Sequence, residues 1–240
     1  IPSRGLGDVY KRQFENRLNE KEGRFVDVTA DVGIFSSFLG YGLAITTADI
    51  NNDGWTDIYV GNDFHENDYV YINQKNKTFK ESGQEYLSNN SRFTMGVDIA
   101  DMNNDMLYDI FTLDMMPFYN DVFLKSGGED SDQVYKIKNS FGYGDQYARN
   151  NFHLNRGNSK FSDIALYTET YATDWSWSVL LEDLDNDGMN DIFITNGIFK
   201  RPNDLDYINY ASNIDYRSFE TSNNNDLYKK LIDKMPTLMI

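Results

Sequence analysis

The sequence predicts an all-β fold: a partial β-propeller of four-stranded antiparallel blades, with oxygen-rich calcium loops between the first and second strands and a loop/helix insertion. Three observations carry this expectation. A nine-residue acidic loop occurs three times, short strand-like runs stand in the same order around each copy, and a strand-opening Phe precedes each loop at a nearly constant distance.

The clearest loop is D-I-N-N-D-G-W-T-D, in which Asp49, Asn51, Asp53 and Asp57 fall at the first, third, fifth and ninth positions. Alternate residues there can point at one hard cation, and the seventh position, Trp55, supplies a main-chain carbonyl. The same spacing returns at Asp101, Asn103, Asp105, Leu107 and Asp109, and again at Asp183, Asp185, Asp187, Met189 and Asp191. An all-oxygen donor set without His or Cys suits Ca2+, fits Mg2+ or Mn2+ less well, and disfavours zinc and copper. Up to three Ca2+ are therefore expected. An acidic Asn/Asp/Gly loop can also be an ion-free turn, but three copies in register favour the ion. Against an EF-hand, the twelfth position is Val60, Thr112 or Ile194 rather than Glu, and the flanks read as strands. Gly54 and Gly188 occupy the sixth position, where the chain turns sharply, whereas the second copy has Met106. If positive φ is needed there, a non-glycine costs on the order of 1 kcal/mol, so this loop is expected to be the weakest site.

The strands follow in order. Phe25, Phe79 and Phe161 each open a short run, in R-F-V-D-V, T-F-K-E-S and K-F-S-D-I. Tyr41 to Ala48 forms the first strand of a full unit, Ile58 to Gly61 the second, Asp68 to Asn73 the third and Lys77 to Ser82 the fourth, each rich in β-branched and aromatic residues. Asn73 and Asn155 precede their Phe by the same number of residues, which reads as a hairpin with a polar turn. The second unit is interrupted at roughly Asp114 to Asn150, where D-S-D-Q-V-Y-K-I-K suits a short helix. Such an excursion is either a binding loop or a lid over a neighbouring blade. The third unit opens with T-D-W-S-W-S-V-L-L-E-D, so that Trp175 and Trp177 align with Tyr41 and Leu43. The two tryptophans share a strand face, and packing is their expected role over sugar stacking. No completing hairpin is visible in 200–240; instead Leu227, Leu231, Ile232 and Met235 have helical spacing. Residues 23–199 are thus the repeat region, and 1–22 are set aside as a non-native or linker segment.

A formal net charge of -16 argues against a nucleic-acid partner. Ten of the 38 acidic residues sit at the loop positions (three, three and four), so much of that charge is placed rather than spread. With no cysteine there are no disulfides, zinc thiolates or thiol nucleophiles. No stretch approaches the roughly 18 apolar residues of a membrane span. Side-chain calcium loops are most useful where free calcium is high, which points outside the cytosol. His65 and His153 are the only histidines, placed apart in the repeat register, and no G-x-S-x-G, G-x-x-x-x-G-K-[ST] or H-E-x-x-H occurs.

The three D-x-[ND]-x-D-x-x-x-D-I-[FY] segments resemble the FG-GAP/VCBS repeats of integrin-α-type propellers. G-V-D-I-A-D-M-N-N-D, T-L-D-M-M-P, T-D-W-S-W and T-N-G-I-F-K-R-P-N-D resemble more narrowly bacterial VCBS-repeat proteins of the ASPIC/UnbV type, over roughly Arg24 to Ile214. The resemblance implies calcium at the loop positions named above, an exported or cell-surface location, and further blades in the same full-length chain. The function expected is recognition of a protein or glycan ligand, with the insertion as contact surface. The alternatives are a hydrolase or lyase on a propeller scaffold, or a purely structural scaffold.

Overall fold

A computed structural model describes residues 11–20, 23–35, 37, 39–127, 129–214 and 224–237. Residues 1–10 of the opening segment lie outside the described residues. The first strands, β1 (Phe14–Arg17) and β2 (Arg24–Asp27), form an antiparallel hairpin. β1 falls within the segment set aside as a linker, yet it pairs residue for residue with β2, from Phe14 opposite Asp27 to Arg17 opposite Arg24. The strand opened by Phe25 therefore completes this hairpin rather than a four-stranded sheet.

The next four strands make the first large sheet. β3 (Tyr41–Ala48), β4 (Asp57–Asp63), β5 (Tyr69–Asn73) and β6 (Phe79–Glu81) pair antiparallel in sequence order. A helical turn, α1 (Gly83–Tyr86), and the short β7 (Asn90–Ser91) lead to the second sheet. There β8 (Gly96–Ala100) and β9 (Asp109–Leu113) are followed by the insertion, which holds α2 (Asn120–Phe123), α3 (Asp132–Ser140) and β10 (Gln146–Tyr147). β11 (Asn151–Asn155) and β12 (Phe161–Asp163) then complete a second four-stranded antiparallel sheet in the same order. The third sheet has two strands, β13 (Ser176–Glu182) and β14 (Asp191–Asn196), after which come α4 (Leu205–Ser212) and α5 (Asn224–Lys234). The fold is mostly β, and no described helix is long and apolar enough to cross a membrane.

The sheets stack face on face, which follows from the two-residue period of a strand. On β9, Ile110 joins Ile50, Tyr59, Val70 and Ile72 in the core between the first and second sheets. Its neighbour Phe111 points the other way, into a core with Phe152, Val179 and Leu181 between the second and third. Covered on both faces, β9 is buried along its whole length, so its sequence D-I-F-T-L lacks the alternation of a half-exposed strand. The first strands of the three sheets lie side by side, β3 against β8 and β8 against β13. Gly96 on β8 makes this possible: a Cβ there would stand 2.6 Å from the main-chain oxygen of Trp177.

The insertion lies against the first sheet's turn between β4 and β5. Gly144 N–H donates to Asn67 Oδ1 at 3.2 Å, and Gln146 Nε2 donates to the Glu66 carbonyl at 2.7 Å. β10 pairs in parallel with β7, Gln146 opposite Asn90. Asp130 accepts from both Arg92 (2.7 Å) and Lys138 (3.0 Å), an ion cluster almost wholly out of water. α3 begins at Ser131, whose hydroxyl caps Val134 N–H.

Candidate metal centre

Each acidic loop joins the first strand of its sheet to the second, and the three share one hydrogen-bond framework. The first-position Asp accepts from two main-chain N–H groups. Asp49 takes those of Asp53 (2.8 Å) and Gly54 (2.7 Å), Asp101 those of Asp105 (3.1 Å) and Met106 (2.8 Å), and Asp183 those of Asp187 (3.1 Å) and Gly188 (3.0 Å). The third position, Asn51, Asn103 or Asp185, accepts from the fifth-position N–H at 3.2, 3.2 and 3.1 Å. The fifth-position Asp accepts the N–H of Trp55, Leu107 or Met189. Side chains at alternate positions are thereby gathered on the inside of one turn.

The sixth residue is left-handed in every copy, with φ +86° at Gly54, +68° at Met106 and +89° at Gly188. The condition attached to Met106 in the sequence is therefore met, and this exposed side chain sits on a backbone that favours glycine.

Asp183, Asp185 and Asp187 each offer a carboxylate oxygen within 4.8 Å of the others, two of them exposed, and Asp191 is not part of that group. In the first two loops the third position is an amide, so two rather than three of these positions are carboxylates. Asn51 and Asn103 instead donate through Nδ2 to Asp53 and Asp105 at 3.0 Å. A divalent cation bound in such a loop would supply the positive charge that clustered carboxylates otherwise lack. The hard oxygen donors of the third loop fit that role.

The ninth position acts differently. Asp57 is buried, with Oδ2 accepting Ile50 N–H (3.0 Å) and Oδ1 accepting Asn73 N–H (2.8 Å). Asp109 repeats this with Met102 (3.0 Å) and Asn155 (2.8 Å). Asp191 is exposed and retains only the loop half, from Leu184 N–H at 3.2 Å. Burial pushes the Asp57 carboxyl up, against the two N–H donors, and lifts Asp109 to about 6 with the Asp105 and Asp101 carboxylates adding to the effect. At Asp53 burial works upward too, but the Asn51 amide, Trp55 N–H and Lys75 ammonium outweigh it and lower the pKa. Lys75 Nζ stands 3.4 Å from Asp53 Oδ2.

Two asparagines read from the sequence as turn residues prove to anchor the loops. Asn73 Nδ2 donates to the Thr56 carbonyl (3.0 Å) and Asn155 Nδ2 to that of Tyr108 (3.1 Å), while their Oδ1 atoms accept Lys75 and Gly157 N–H. Their equal distance from Phe79 and Phe161 is the signal that pairs them. Asn155 Nδ2 also reaches the Ile50 carbonyl in the first loop at 3.3 Å. Asn104 Nδ2 donates to the Gly188 carbonyl and Asn190 Nδ2 to that of Asp101, both at 2.9 Å. The three loops are thus laced together along one edge of the stack.

The remaining candidates scatter. His153 is fully buried on β11, and burial lowers its pKa to about 4, so it is neutral near pH 7. His65 stands in the exposed turn after β4. The expected packing of Trp177 is corrected: it is 45% exposed, because its strand position borders an open cleft rather than a core. Trp175 is partly buried at the same cleft.

A family model described as FG-GAP-like repeat matches residues 49–112 and 121–194, more than half of the chain. Integrin alpha-3 from Cricetulus griseus and from Mus musculus are each 36% identical over 81 residues, covering 29% of this chain. The aligned stretch spans only 8% of the length of either relative. With two repeat matches enclosing all three acidic loops, the chain belongs to the FG-GAP-like repeat family.

Proposed function

We propose that the chain is a calcium-stabilised segment of a β-propeller that recognises a protein partner outside the cell or at its surface. The observation that carries this reading is the common hydrogen-bond framework of the three loops, held in register along one edge. Asp49, Asn51, Asp53 and Asp57, with their counterparts in the other two loops, would hold up to three Ca2+, and the carbonyls of Trp55, Leu107 and Met189 would complete the donor sets. Bound calcium lowers the repulsion among these carboxylates and stabilises folding by linkage. Recognition falls to the opposite, irregular part of the repeat. The insertion exposes Phe118, Leu124 and Phe141, apolar surface that suits a protein better than a glycan. Integrin-like repeats in the relatives favour the same class of partner.

Thermal unfolding of the full chain in millimolar calcium and in excess EDTA tests the metal half of the reading. A fall in Tm on chelation supports it, and an unchanged Tm overturns it. Screening the chain against folded extracellular proteins and a glycan array, with and without excision of 120–145, tests the recognition half. Protein binding that is lost on excision at unchanged Tm supports it, whereas turnover of a glycan or absence of any protein ligand overturns it.

A further inference from the structure

A cleft of about 690 Å3 opens between the insertion and the starts of β8 and β13. We propose that it seats a basic peptide segment of a partner protein, anchored by one apolar side chain; this rests on the recognition reading above.

The walls are unusual for a surface. Phe93, Met95, Met115, Met116, Trp175 and Trp177 supply them, a mixture of rigid aromatic faces and flexible thioethers that adapts to an inserted side chain. Three carboxylates, Asp63, Asp114 and Glu129, also line it, and no Lys or Arg does. The contrast with neighbouring carboxylates is direct. Asp130 is paired with Arg92 and Lys138, Asp163 with Arg149, and Asp174 with Arg201, whereas the three in the cleft make no ion pair among the described residues. Asp114 spends both oxygens internally, on Ser91 Oγ, Phe93 N–H and Met115 N–H. Asp63 and Glu129 spend only one each, on Phe64 N–H (2.9 Å) and Ala148 N–H (3.1 Å). Each retains an oxygen for an incoming cation, beside aromatic faces that also attract one.

Two further features point to a ligand. Phe64 is 47% exposed with φ +68°, and it meets Tyr41 and Phe93 edge to face at 5.7 and 5.9 Å. A bulky residue in left-handed backbone costs about 1–2 kcal/mol, and such strain collects at binding sites. Across the cleft, Trp175 Nε1 is shielded from water with no acceptor among the described residues. A main-chain carbonyl of an inserted peptide would satisfy it. A lipid tail would leave the carboxylates unused, and a sugar would leave the thioether floor unused.

Fluorescence anisotropy with the full chain tests the proposal. The probe is a fluorescein-labelled Gly/Ser peptide carrying one Phe flanked by two Lys on each side. Its controls are a twin with Glu for Lys, a twin with Ser for Phe, and phosphatidylserine vesicles. The basic peptide is expected to bind with affinity that falls as salt rises, and both twins about tenfold more weakly. Asp63→Asn with Glu129→Gln should weaken it about fivefold or more. Phe64→Gly should weaken it with no loss of Tm, since glycine suits that backbone. Equal binding of the twins, undiminished binding by these variants, or binding of vesicles alone overturns the cleft assignment. If that happens while excision still abolishes binding in the protein screen, the recognition reading survives; if the screen also yields nothing, both fall.

Discussion

The main-chain N–H of Asn155 donates to Asp109 Oδ1 at 2.8 Å, so the ninth residue of the second loop fixes the third strand of its sheet. Its other oxygen holds Met102 N–H at 3.0 Å. Asp109→Ala would strand both buried donors, each costing about 1–3 kcal/mol. Urea unfolding in EDTA should show a loss of several kcal/mol for Asp109→Ala and a much smaller one for Asp191→Ala, whose carboxylate is exposed. Equal losses would show that the strand anchor is energetically silent.

Met106 invites the reverse change. It is 83% exposed and holds φ +68°, so Met106→Gly gives up little packing while removing a left-handed strain of about 1 kcal/mol. A rise in stability, together with tighter calcium binding at the second loop by calorimetry, is the expected outcome. Unchanged stability and affinity would mean that the loop accommodates the side chain without cost.

Lys75 stands where a cation would compete. With its ammonium 3.4 Å from Asp53 Oδ2, Lys75→Ala should raise calcium affinity at the first loop by a few-fold, and the gain should shrink as salt rises. The other loops serve as internal controls in the same titration.

The approach of β8 to β13 leaves no room for a side chain at Gly96. Gly96→Ala would place Cβ 2.6 Å from the Trp177 carbonyl, a main-chain atom that cannot swing away, and should cost about 1–3 kcal/mol. A silent substitution by thermal melting would show that the two sheets separate easily.

Buried carboxylates set the pH dependence. Burial raises Asp68 to about 7 and Asp114 to about 6, above their unfolded values, so the folded state holds extra protons and stability falls as pH rises from about 4 to 7. Asp163 runs the other way: burial pushes it up, but Arg149, Asn89 and neighbouring donors win and hold it near about 2. Its contribution is complete above about pH 4 and is lost as pH falls toward 2. Tm in EDTA should therefore peak on the acid side of neutrality, and Asp68→Asn should flatten the alkaline limb. A Tm that climbs steadily to pH 7 would contradict the buried state of these groups.

The loops and the strands beside them were legible because their chemistry is local. Tyr41–Ala48 matches its expected span, and Ile58, Tyr69 and Phe79 fall inside β4, β5 and β6. What stayed hidden depends on partners distant in sequence. The two-residue pair β7 and β10 joins Asn90 to Gln146, and β1 owes its form to β2, so neither carries a periodic signal of its own. α4 begins at Asp204, whose side chain caps Tyr207 N–H, in a stretch that reads only as a fading repeat. Trp177 shows how a sound alignment can mislead. Its counterpart Leu43 is itself 50% exposed and lines the same cleft, so the register was right and the inferred environment wrong.

The asparagine links between the loops bear on how such a chain lengthens. Asn155 belongs to the second sheet yet reaches back to Ile50 of the first, and Asn190 of the third reaches back to Asp101 of the second. Each copy brings its own coupler to its predecessor, as a railway carriage does. Duplication of one segment would therefore add a unit already fitted to dock, with no compensating change elsewhere, and the pitch between neighbours would be inherited along with the sequence.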